Sequence, residues 1–423
     1  MILSLYKILG LGLAPLLGLW LRRRARRGKE EAARLGERSG RTRLTRPTGK
    51  LVWVHAASVG EAQSVLILLE QLLAQYPGLH LLMTTGTVTS AALIKRASLP
   101  RTIHQYLPSD ILPATRRFLE HWRPDLVLWA ESELWPVMLS EIHRRGVPLV
   151  MVNARMSEAS MRRWQRLPHF TRQMLSAVTL CFAMSEEDAA RFRTLGAAKL
   201  RYVGNLKYDA APLGFDANAL AQLSEATAGR PSWVAASTHP GEEEFILAAH
   251  QRLVKTYPDL LTIIVPRHAH RGGEIAARIA QQGIRFSQRS EGHALTGQTA
   301  LYLADTMGEL GLFFRLSDLV FIGGSLVPHG GHNPLEPARL NCALITGPHT
   351  RNFAAVMEAL RTQQAIRIVT DAAGLAQEVA TLLDDDGARL EMAERALSVV
   401  EASQGATATI LSALRPFLTG ASS

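Results

Sequence analysis

The sequence contains few cysteines and few aromatic residues, and both scarcities exclude classes of protein. Cys181 and Cys342 are its only cysteines and lie far apart in apolar runs. We therefore expect two buried thiols in a reducing compartment, rather than a disulfide framework or a zinc site. Aromatic residues make up only 6% of the chain, and no base-stacking motif accompanies the net charge of +10. We therefore expect no nucleic-acid partner, and the positive charge indicates an acidic membrane or a phosphorylated substrate.

Motifs of other enzyme classes are also missing. The chain contains neither a GxxxxGK[ST] phosphate-binding loop nor a GxSxG nucleophile elbow. No Cys/His cluster has metal-ligand spacing, so we expect no metal and no other cofactor. The chain is nevertheless long, with 423 residues of which 47% are hydrophobic and 20% charged. This length and composition predict two globular domains.

Charge is scarce at the N-terminus. Residues 1–21 carry a single charge, Lys7, and residues 22–27 then contain five arginines. A secretory signal places its charges before the apolar core, whereas arginines after it predict that the downstream chain stays in the cytoplasm. At about 1.5 Å per residue, 21 residues just span the hydrocarbon layer, and the stricter apolar run 8–21 falls short. We predict a membrane anchor at residues 1–21 that either spans the bilayer or lies in its interface, with a core helix as the third alternative. The basic juxtamembrane segment 22–49 should bind anionic lipid.

Strand and helix patterns alternate from residue 50 onwards. Near-continuous apolar strands, such as 51–57 and 125–130, predict parallel sheets covered on both faces. We predict an α/β fold of two doubly wound, Rossmann-like domains that face each other across a cleft, with ligands at the carboxyl ends of the strands. The predicted boundaries are 50–205 for the first domain, 206–230 for a linker, 231–400 for the second domain and 401–423 for a helical tail.

The junction between the first strand and the first helix of this pattern has two interpretations. Ser58 and Glu61 have the S-x-x-E spacing of a capping box. Alternatively, Glu61 is a carboxylate that takes a proton from an acceptor hydroxyl. A helix N-terminus lowers the pKa of such a carboxylate unless burial offsets the effect.

Two further segments of the first half carry candidate functional residues. Glu131 and Glu133 stand between two tryptophans at a strand-to-helix junction. Acids in a first turn ordinarily stabilise the helix, whereas the flanking indoles favour a wall that faces sugar or lipid. Lys207, at the domain boundary, either faces solvent or neutralises a leaving phosphate.

Three loops of the second half converge on one interpretation. Residues 323–337 read Gly-Gly-Ser-Leu-Val-Pro-His-Gly-Gly-His-Asn-Pro-Leu-Glu-Pro and follow a buried strand. Glycine lets the backbone approach a ligand, and the helix that starts at Asn333-Pro334 offers unpaired N–H groups to a phosphate. Arg267 suits a phosphate, and the backbone at Gly308 can approach a base or ribose. Together they predict a nucleotide-sugar site.

The motifs 55–61, 131–136, 265–268 and 323–338 together resemble those of the bacterial 3-deoxy-D-manno-octulosonic acid (Kdo) transferases, in order, from the anchor to about residue 350. The resemblance implies a membrane-associated GT-B enzyme of lipopolysaccharide assembly, on the cytoplasmic side of the bacterial inner membrane. It implies CMP-Kdo as donor, a lipid A precursor (lipid IVA) as acceptor, and inversion at the anomeric carbon. It also implies that Glu61 is the general base and that Glu131 and Lys207 stabilise the transition state. The residues implied to hold CMP are Pro266, Arg267, His268, Met307, Gly308, Glu309, Asn333, Pro334, Leu335 and Glu336.

Two other functions stay open from the residues alone. A GT-B enzyme with another donor, such as a UDP-sugar transferase or epimerase, would prefer UDP-sugars to CMP. A non-enzymatic, anchored lipid-binding protein would have no need of carboxylates at positions 61 and 131.

Overall fold

The computed structural model describes residues 2–131 and 133–419, and the chain divides into two compact units. Unit 1 contains the residues up to Ala210 together with those from Ser403 onwards, and unit 2 contains Ala211–Ala402. Each unit is built around a seven-stranded sheet whose paired strands all run parallel. The prediction of two α/β domains with parallel sheets is confirmed.

The sheet of unit 1 has the strand order β3-β2-β1-β4-β5-β6-β7. Its strands are β1 (Leu51–His55), β2 (His80–Thr85), β3 (Thr102–Tyr106), β4 (Leu126–Ala130), β5 (Leu149–Ala154), β6 (Leu180–Ala183) and β7 (Leu200–Tyr202). β1, β4 and β5 are buried along their whole length, because helices cover both faces of the sheet. The order of the strands reverses between β1 and β4, which is where doubly wound sheets bind ligands.

Eight helices of unit 1 precede the second unit. They are α1 (Ile2–Arg26), α2 (Val59–Gln75), α3 (Val88–Ala97), α4 (Leu112–Trp122), α5 (Pro136–Arg144), α6 (Glu158–Gln165), α7 (Pro168–Leu175) and α8 (Glu186–Leu195). As the sequence predicts, Ser185 caps the start of α8 and Gly196 ends it in a left-handed conformation. Short 3-10 helices occupy Ala32–Ser39 and Leu206–Asp209.

The sheet of unit 2 has the order β10-β11-β9-β8-β12-β13-β14 and reverses between β8 and β12. Its strands are β8 (Ser232–Thr238), β9 (Leu261–Pro266), β10 (Phe286–Gln288), β11 (Leu301–Leu303), β12 (Leu319–Ile322), β13 (Ala343–Thr346) and β14 (Arg367–Ile368). Its helices are α9 (Ala217–Thr227), α10 (Glu242–Leu253), α11 (Gly272–Gln281), α12 (Leu310–Leu316), α13 (Leu335–Ala338), α14 (Ala354–Thr362), α15 (Ala372–Asp384) and α16 (Asp386–Ala402).

The chain then returns to unit 1 through α17 (Ala406–Thr419). Ile410 and Leu414 on this helix are fully buried in the core that also contains β1, β2 and α2 residues. Asp209 accepts hydrogen bonds from the N–H groups of Gly405 and Thr407 at 2.7 and 2.5 Å. α17 therefore completes the core of the first unit rather than extending the second.

Several elements differ from the sequence prediction. α9 lies inside the segment 206–230, which was predicted as a linker, and buries only Leu223 and Thr227. β3 was not predicted, because it is an edge strand in which only Gln105 and Tyr106 are buried. Both cysteines are free and buried, as predicted. α9 and β3 bury few residues and so leave a weak periodic pattern. α4 was not predicted either, although it buries Phe118, Leu119 and Trp122.

The predicted membrane span is not confirmed. Among residues 2–131 and 133–419, no single helix combines the length and apolar composition needed to cross a membrane. The two halves of α1, Ile2–Gly12 and Ala14–Arg26, meet that criterion only when taken together, and they are bent by 63°. Pro15 lies just beyond the bend, and proline removes a helical hydrogen bond there.

One side of α1 packs against the rest of unit 1. Leu21 is 3% exposed, and Leu3 packs against the core formed by α4, α5 and the neighbouring strands. Lys7 donates to Ser140 at 3.1 Å and to the fully buried carboxylate of Glu141 at 3.4 Å. The other side of the helix exposes large apolar residues: Leu5, Ile8, Leu9, Leu11, Leu16, Leu19 and Trp20.

Candidate active site

The carboxyl ends of β1 and β4 carry the acidic residues that the sequence analysis selected in the first half. Ser58 is the N-cap of α2 and accepts a hydrogen bond from the N–H of Glu61, so the predicted cap is confirmed. The Glu61 carboxylate accepts from the N–H of Ala57 at 2.7 Å and from the Ser58 hydroxyl at 3.0 Å. The carboxylate is therefore fixed in place by the turn that starts the helix.

The pKa of Glu61 is raised above its ordinary value. Burial is the main cause, and the negative charge of Glu133 adds to it. The hydrogen bonds from Ala57 and Ser58 and the nearby His55 act in the opposite direction. Burial therefore outweighs these hydrogen bonds, and the raised pKa makes Glu61 a stronger base than an exposed glutamate.

Glu133 and His55 form a second polar pair beside Glu61. His55 is fully buried at the end of β1, and its Nε2 lies 3.5 Å from the Glu133 carboxylate. Its Nδ1 lies 3.0 Å from the hydroxyl of Thr84, and Trp135 donates to Glu133 at 2.8 Å. Burial raises the pKa of Glu133, but the bonds from His55 and Trp135 outweigh it and hold that pKa below its usual value. Glu133 is thus the ionised neighbour of Glu61.

Glu131 ends β4 in a left-handed conformation with φ of 56°. Such a backbone is uncommon for a residue other than glycine and is often found at functional sites. Burial raises the pKa of Glu131, and the charge of Glu61 raises it further. Lys207, Arg155 and the Asn153 side chain lower it. The structure therefore brings Glu61, Glu131 and Lys207, the three predicted catalytic residues, into one electrostatically coupled group within unit 1.

A cavity of about 480 Å³ opens beside this group. Glu61, Ser58, His55 and Glu133 line one part of it, and Trp135 lines the same part. Side chains of α1 and of the 3-10 helix at 32–39 line another part: Leu17, Trp20, Leu21, Arg24 and Arg38. Both arginines form ion pairs with Glu30, which also lines the cavity. The cavity thus combines carboxylates, arginines and apolar side chains.

The two tryptophans around Glu131 and Glu133 do not both face this cavity. Trp129 is fully buried, packs on Trp53 and donates to the backbone oxygen of Glu133 at 2.6 Å. Trp135 is only partly buried and lines the cavity. The expectation of a wall formed by both indoles is therefore wrong for Trp129, which lies on β4 within the core, whereas Trp135 is the N-cap of α5.

In unit 2, the three loops predicted to bind the donor and one further loop follow four neighbouring strands. β11, β9, β8 and β12 are adjacent in the sheet, and the carboxyl ends of parallel strands lie at one edge. They lead into residues 304–309, 267–271, 239–241 and 323–334 respectively. Of the predicted residues themselves, Pro266 is buried at the end of β9, whereas Arg267, His268, Met307 and Gly308 are exposed.

The Arg267 loop and the glycine-rich loop meet. The positive charge of Arg267 lowers the pKa of Glu336, although burial dominates and the net pKa of Glu336 is raised. Asn333 donates from its amide to Glu336 at 3.1 Å and accepts from the N–H of Leu335 at the same distance. Asn333, Pro334, Leu335 and Glu336 thus form a closed turn, as the prediction of a helix start at Asn333-Pro334 requires, although α13 is only four residues long.

The side chain of Glu309 forms hydrogen bonds with nearby residues of unit 2. Its carboxylate accepts from Arg289 at 2.7 and 2.5 Å and from the Thr306 hydroxyl. The bond from Arg289 is the main reason that the pKa of Glu309 is lowered. Arg289, Glu309, Thr306 and Tyr302 line a second cavity of about 520 Å³. The Glu309 side chain therefore orders this loop, and the exposed backbone at Gly308, with φ of 88°, is the part available to a ligand.

Three histidines of unit 2 come together although they are distant in sequence. His239 follows β8, and His329 and His332 lie in the glycine-rich loop; their ring nitrogens lie within 4.8 Å of one another. His239 Nε2 is 2.8 Å from His332 Nε2, and the His239 and His329 rings stack at 3.7 Å. These are the three residues that could hold a metal ion within 2–131 and 133–419.

The charges around the histidines oppose a cation. The pKa of His239 is lowered to about 4, mainly by burial and further by the neighbouring His329, His268, Arg267 and Arg271. Neutral imidazoles that donate N–H groups next to Arg267 suit an anion better than a second positive charge. None of the three histidines was among the predicted site residues, because His239 comes close to His329 and His332 only through the pairing of β8 with β12.

An acidic cavity at the switch point of one doubly wound unit and glycine-rich, cationic loops at the switch point of the other are typical of glycosyltransferases that use a nucleotide sugar. The sequence profile of the 3-Deoxy-D-manno-octulosonic-acid transferase (kdotransferase) family matches residues 33–210. The chain is 35% identical to the 3-deoxy-D-manno-octulosonic acid transferase of Haemophilus influenzae, over 88% of each protein. It is 35% identical to the enzyme of that name from Bordetella pertussis, over 96% of this chain and 97% of the relative. The chain therefore belongs to the Kdo transferase family.

Proteins with little sequence identity to this chain share its fold. The crystal structure of MurG from Acinetobacter baumannii superposes with a TM-score of 0.55 and covers 87% of this chain and 99% of that one, at 13% identity. At this identity the likeness establishes the two-domain α/β fold and nothing further.

Proposed function

We propose that this Kdo transferase moves Kdo from CMP-Kdo to a hydroxyl of a lipid A precursor, lipid IVA, with inversion at the anomeric carbon. The observation that carries the proposal is the Glu61 carboxylate, which lines the cavity of unit 1, is fixed by two hydrogen bonds and has a raised pKa. A fixed carboxylate of raised pKa suits a general base that acts on an otherwise weakly acidic hydroxyl.

The proposed reaction needs one base and charge stabilisation, without a covalent enzyme intermediate. The acceptor oxygen bonds to the anomeric carbon of Kdo and loses its proton to Glu61, while the bond from that carbon to the phosphate oxygen breaks. CMP leaves as a phosphate monoester anion, through a cationic transition state at the sugar. Glu131 and Lys207, which are coupled to each other through charge, would stabilise this transition state.

The donor would bind at the loops of unit 2. The cationic Arg267, the histidines beside it and the exposed backbone at Gly308 suit the phosphate and the nucleoside of CMP. Pro266, His268, Met307, Glu309 and the turn 333–336 complete the proposed donor site. The proposed reaction uses no metal, since Arg267 supplies positive charge where the leaving phosphate would lie.

We propose that α1 lies in the interface of the bacterial inner membrane, on its cytoplasmic side, rather than across the bilayer. The ion pair between Lys7 and the buried Glu141 and the burial of Leu21 hold both halves of the helix against unit 1. The apolar residues on its other side would enter the membrane, and the arginines at 22–27 would bind anionic lipid headgroups. An acceptor embedded in the same membrane would then be within reach of the enzyme.

The test is an assay with purified protein in detergent or vesicles. CMP should be released only when CMP-Kdo and lipid IVA are both present, and the mass of the lipid should increase by Kdo. Replacing Glu61 by Gln should lower kcat by about 10²- to 10⁴-fold, the range that general base catalysis provides. The matched control is Asp188→Asn, because Asp188 pairs with Ser185 in the same capping geometry at the start of α8.

The control separates catalysis from helix capping. Asp188→Asn should cost about 1 kcal/mol of stability and leave kcat unchanged, whereas Glu61→Gln should lose turnover at a similar cost in stability. Full activity of Glu61→Gln would remove Glu61 as the base. Transfer from a UDP-sugar without any from CMP-Kdo would replace the proposed donor.

A further inference from the structure

A buried carboxylate holds together the two loops of unit 2 that carry the histidines. Glu242, the first residue of α10, is completely buried. Its carboxylate accepts four backbone N–H groups, one from the loop after β8 and three from the loop after β12. The donors are His239 at 3.0 Å, Gly324 at 2.6 Å, Ser325 at 2.9 Å and Leu326 at 2.9 Å.

The charge of Glu242 is balanced by these peptide dipoles alone. Within residues 2–131 and 133–419 no lysine, arginine or histidine forms an ion pair with it, whereas the adjacent Glu243 pairs with Arg271 at 2.7 Å. A buried ion costs several kcal/mol unless it is fully hydrogen-bonded. We would expect a carboxylate that only stabilises the core to form an ion pair, as Glu243 does. Glu242 instead binds four backbone N–H groups of two loops, which indicates that it fixes the conformation of those loops.

The glycine-rich loop needs such an anchor because glycine does not select one conformation. Gly324 adopts a φ of 67°, and its carbonyl oxygen accepts from the N–H groups of Gly330 and Gly331 at 3.2 and 2.7 Å. A side chain at Gly323 would come within 2.7 Å of the Ser237 carbonyl oxygen. The base of the loop thus packs tightly against the end of β8, and Glu242 fixes its first three peptide groups.

We propose that Glu242 is a positioning residue of the donor site, which sets the distance between His239 and the loop that carries His329 and His332. This inference rests on the proposed binding of CMP-Kdo to unit 2. Glu242 does not touch the donor, and it acts by presenting the two loops in the conformation that binds the donor's anionic group.

The test compares Glu242→Gln with the intact protein. Glutamine keeps the size but presents one oxygen and one NH₂ group, so two of the four N–H donors lose their acceptor and face another donor. We expect the Kd for CMP and the KM for CMP-Kdo to rise by about tenfold or more, with kcat at saturating donor changed less than about threefold. Hydrogen exchange of the peptide that spans 322–332 should become faster.

Two controls separate positioning from loss of stability. Glu244→Gln, in the same first turn but half exposed and paired to Arg278, should change neither affinity nor exchange. Glu242→Asp, which retains the charge on a shorter side chain, should give an intermediate loss and supplies the measurement if the glutamine variant fails to fold. A CMP affinity and exchange rate of Glu242→Gln equal to those of the intact protein would overturn the inference. Failure of the intact protein to bind CMP would instead refute the proposed function, and faster exchange at 322–332 in Glu242→Gln would still support the role of Glu242 in the loop.

Discussion

At the scale of single residues, Glu61 does two things at once. Its carboxylate completes the cap of α2, and the same carboxylate lines the cavity next to Glu133. From the sequence, helix capping and base catalysis were alternative roles for Glu61, but in the structure the same carboxylate can fulfil both. The bonds from Ala57 and Ser58 occupy lone pairs on the carboxylate and fix its direction, and the remaining lone pairs can accept a proton.

Glu133 should control the pH at which Glu61 becomes active. The negative charge of Glu133 raises the pKa of Glu61, and a base must be ionised to act, so kcat/KM should fall as the pH drops through this raised pKa. Replacing Glu133 by Gln removes that charge while leaving an oxygen that can still accept from Trp135. The acid limb of the kcat/KM profile should therefore move to lower pH.

The control for this shift is Glu120→Gln, because Glu120 is an exposed carboxylate that pairs with Arg145 on the surface. Its removal should leave the acid limb in place. An acid limb that stays where it is in Glu133→Gln, or moves to higher pH, would show that Glu133 does not act on the base.

At the scale of elements, one side of α1 exposes large apolar residues. Ile8, Leu16 and Leu19 are 64%, 59% and 64% exposed, so changing them should leave the fold intact. Replacing all three by Ser should lower binding to vesicles of anionic phospholipid by well over tenfold, since full burial of one such side chain contributes roughly 1.5–3 kcal/mol and tenfold corresponds to about 1.4 kcal/mol. Co-sedimentation with vesicles measures the effect.

The matched control replaces three exposed apolar residues elsewhere: Leu167, Ile368 and Leu390. Their replacement by Ser should leave vesicle binding unchanged. Equal loss of binding in both triple variants would mean that general surface hydrophobicity, and not α1, attaches the protein to the membrane.

The elements also show how far the sequence predicts this structure. Buried strands such as β1, β4 and β12 were predicted within a few residues, because continuous burial leaves a continuous apolar run. Glu61, Asn333 and Glu336 were predicted at the starts of helices, and the structure has them there. The histidine group and the four bonds to Glu242 were not predictable, because they depend on β8 and β12 being neighbours although 80 or more residues separate their sequences.

At the scale of the whole molecule, the chain leaves unit 1 at about residue 210 and returns to it near residue 403. Unit 2 is thus one continuous segment, whereas unit 1 needs both ends of the chain. Lys50, just before β1, donates to the Leu418 carbonyl oxygen at 2.6 Å. This hydrogen bond joins α17 to the start of β1.

Removing core volume in α17 should therefore lower the stability of unit 1 and leave unit 2, Ala211–Ala402, unaffected. Leu414 is completely buried in the core of unit 1, and Leu375 on α15 is completely buried in the core of unit 2. Leu414→Ala should cost about 2–5 kcal/mol and increase hydrogen exchange in peptides from β1, β2 and α2, with no change in peptides from β8 and β12. Leu375→Ala, the same change in the other core, should give the opposite pattern. If Leu414→Ala instead increased exchange in β8 and β12 while β1 stayed protected, the C-terminal helix would belong energetically to unit 2, and unit 1 would fold from residues 2–210 alone.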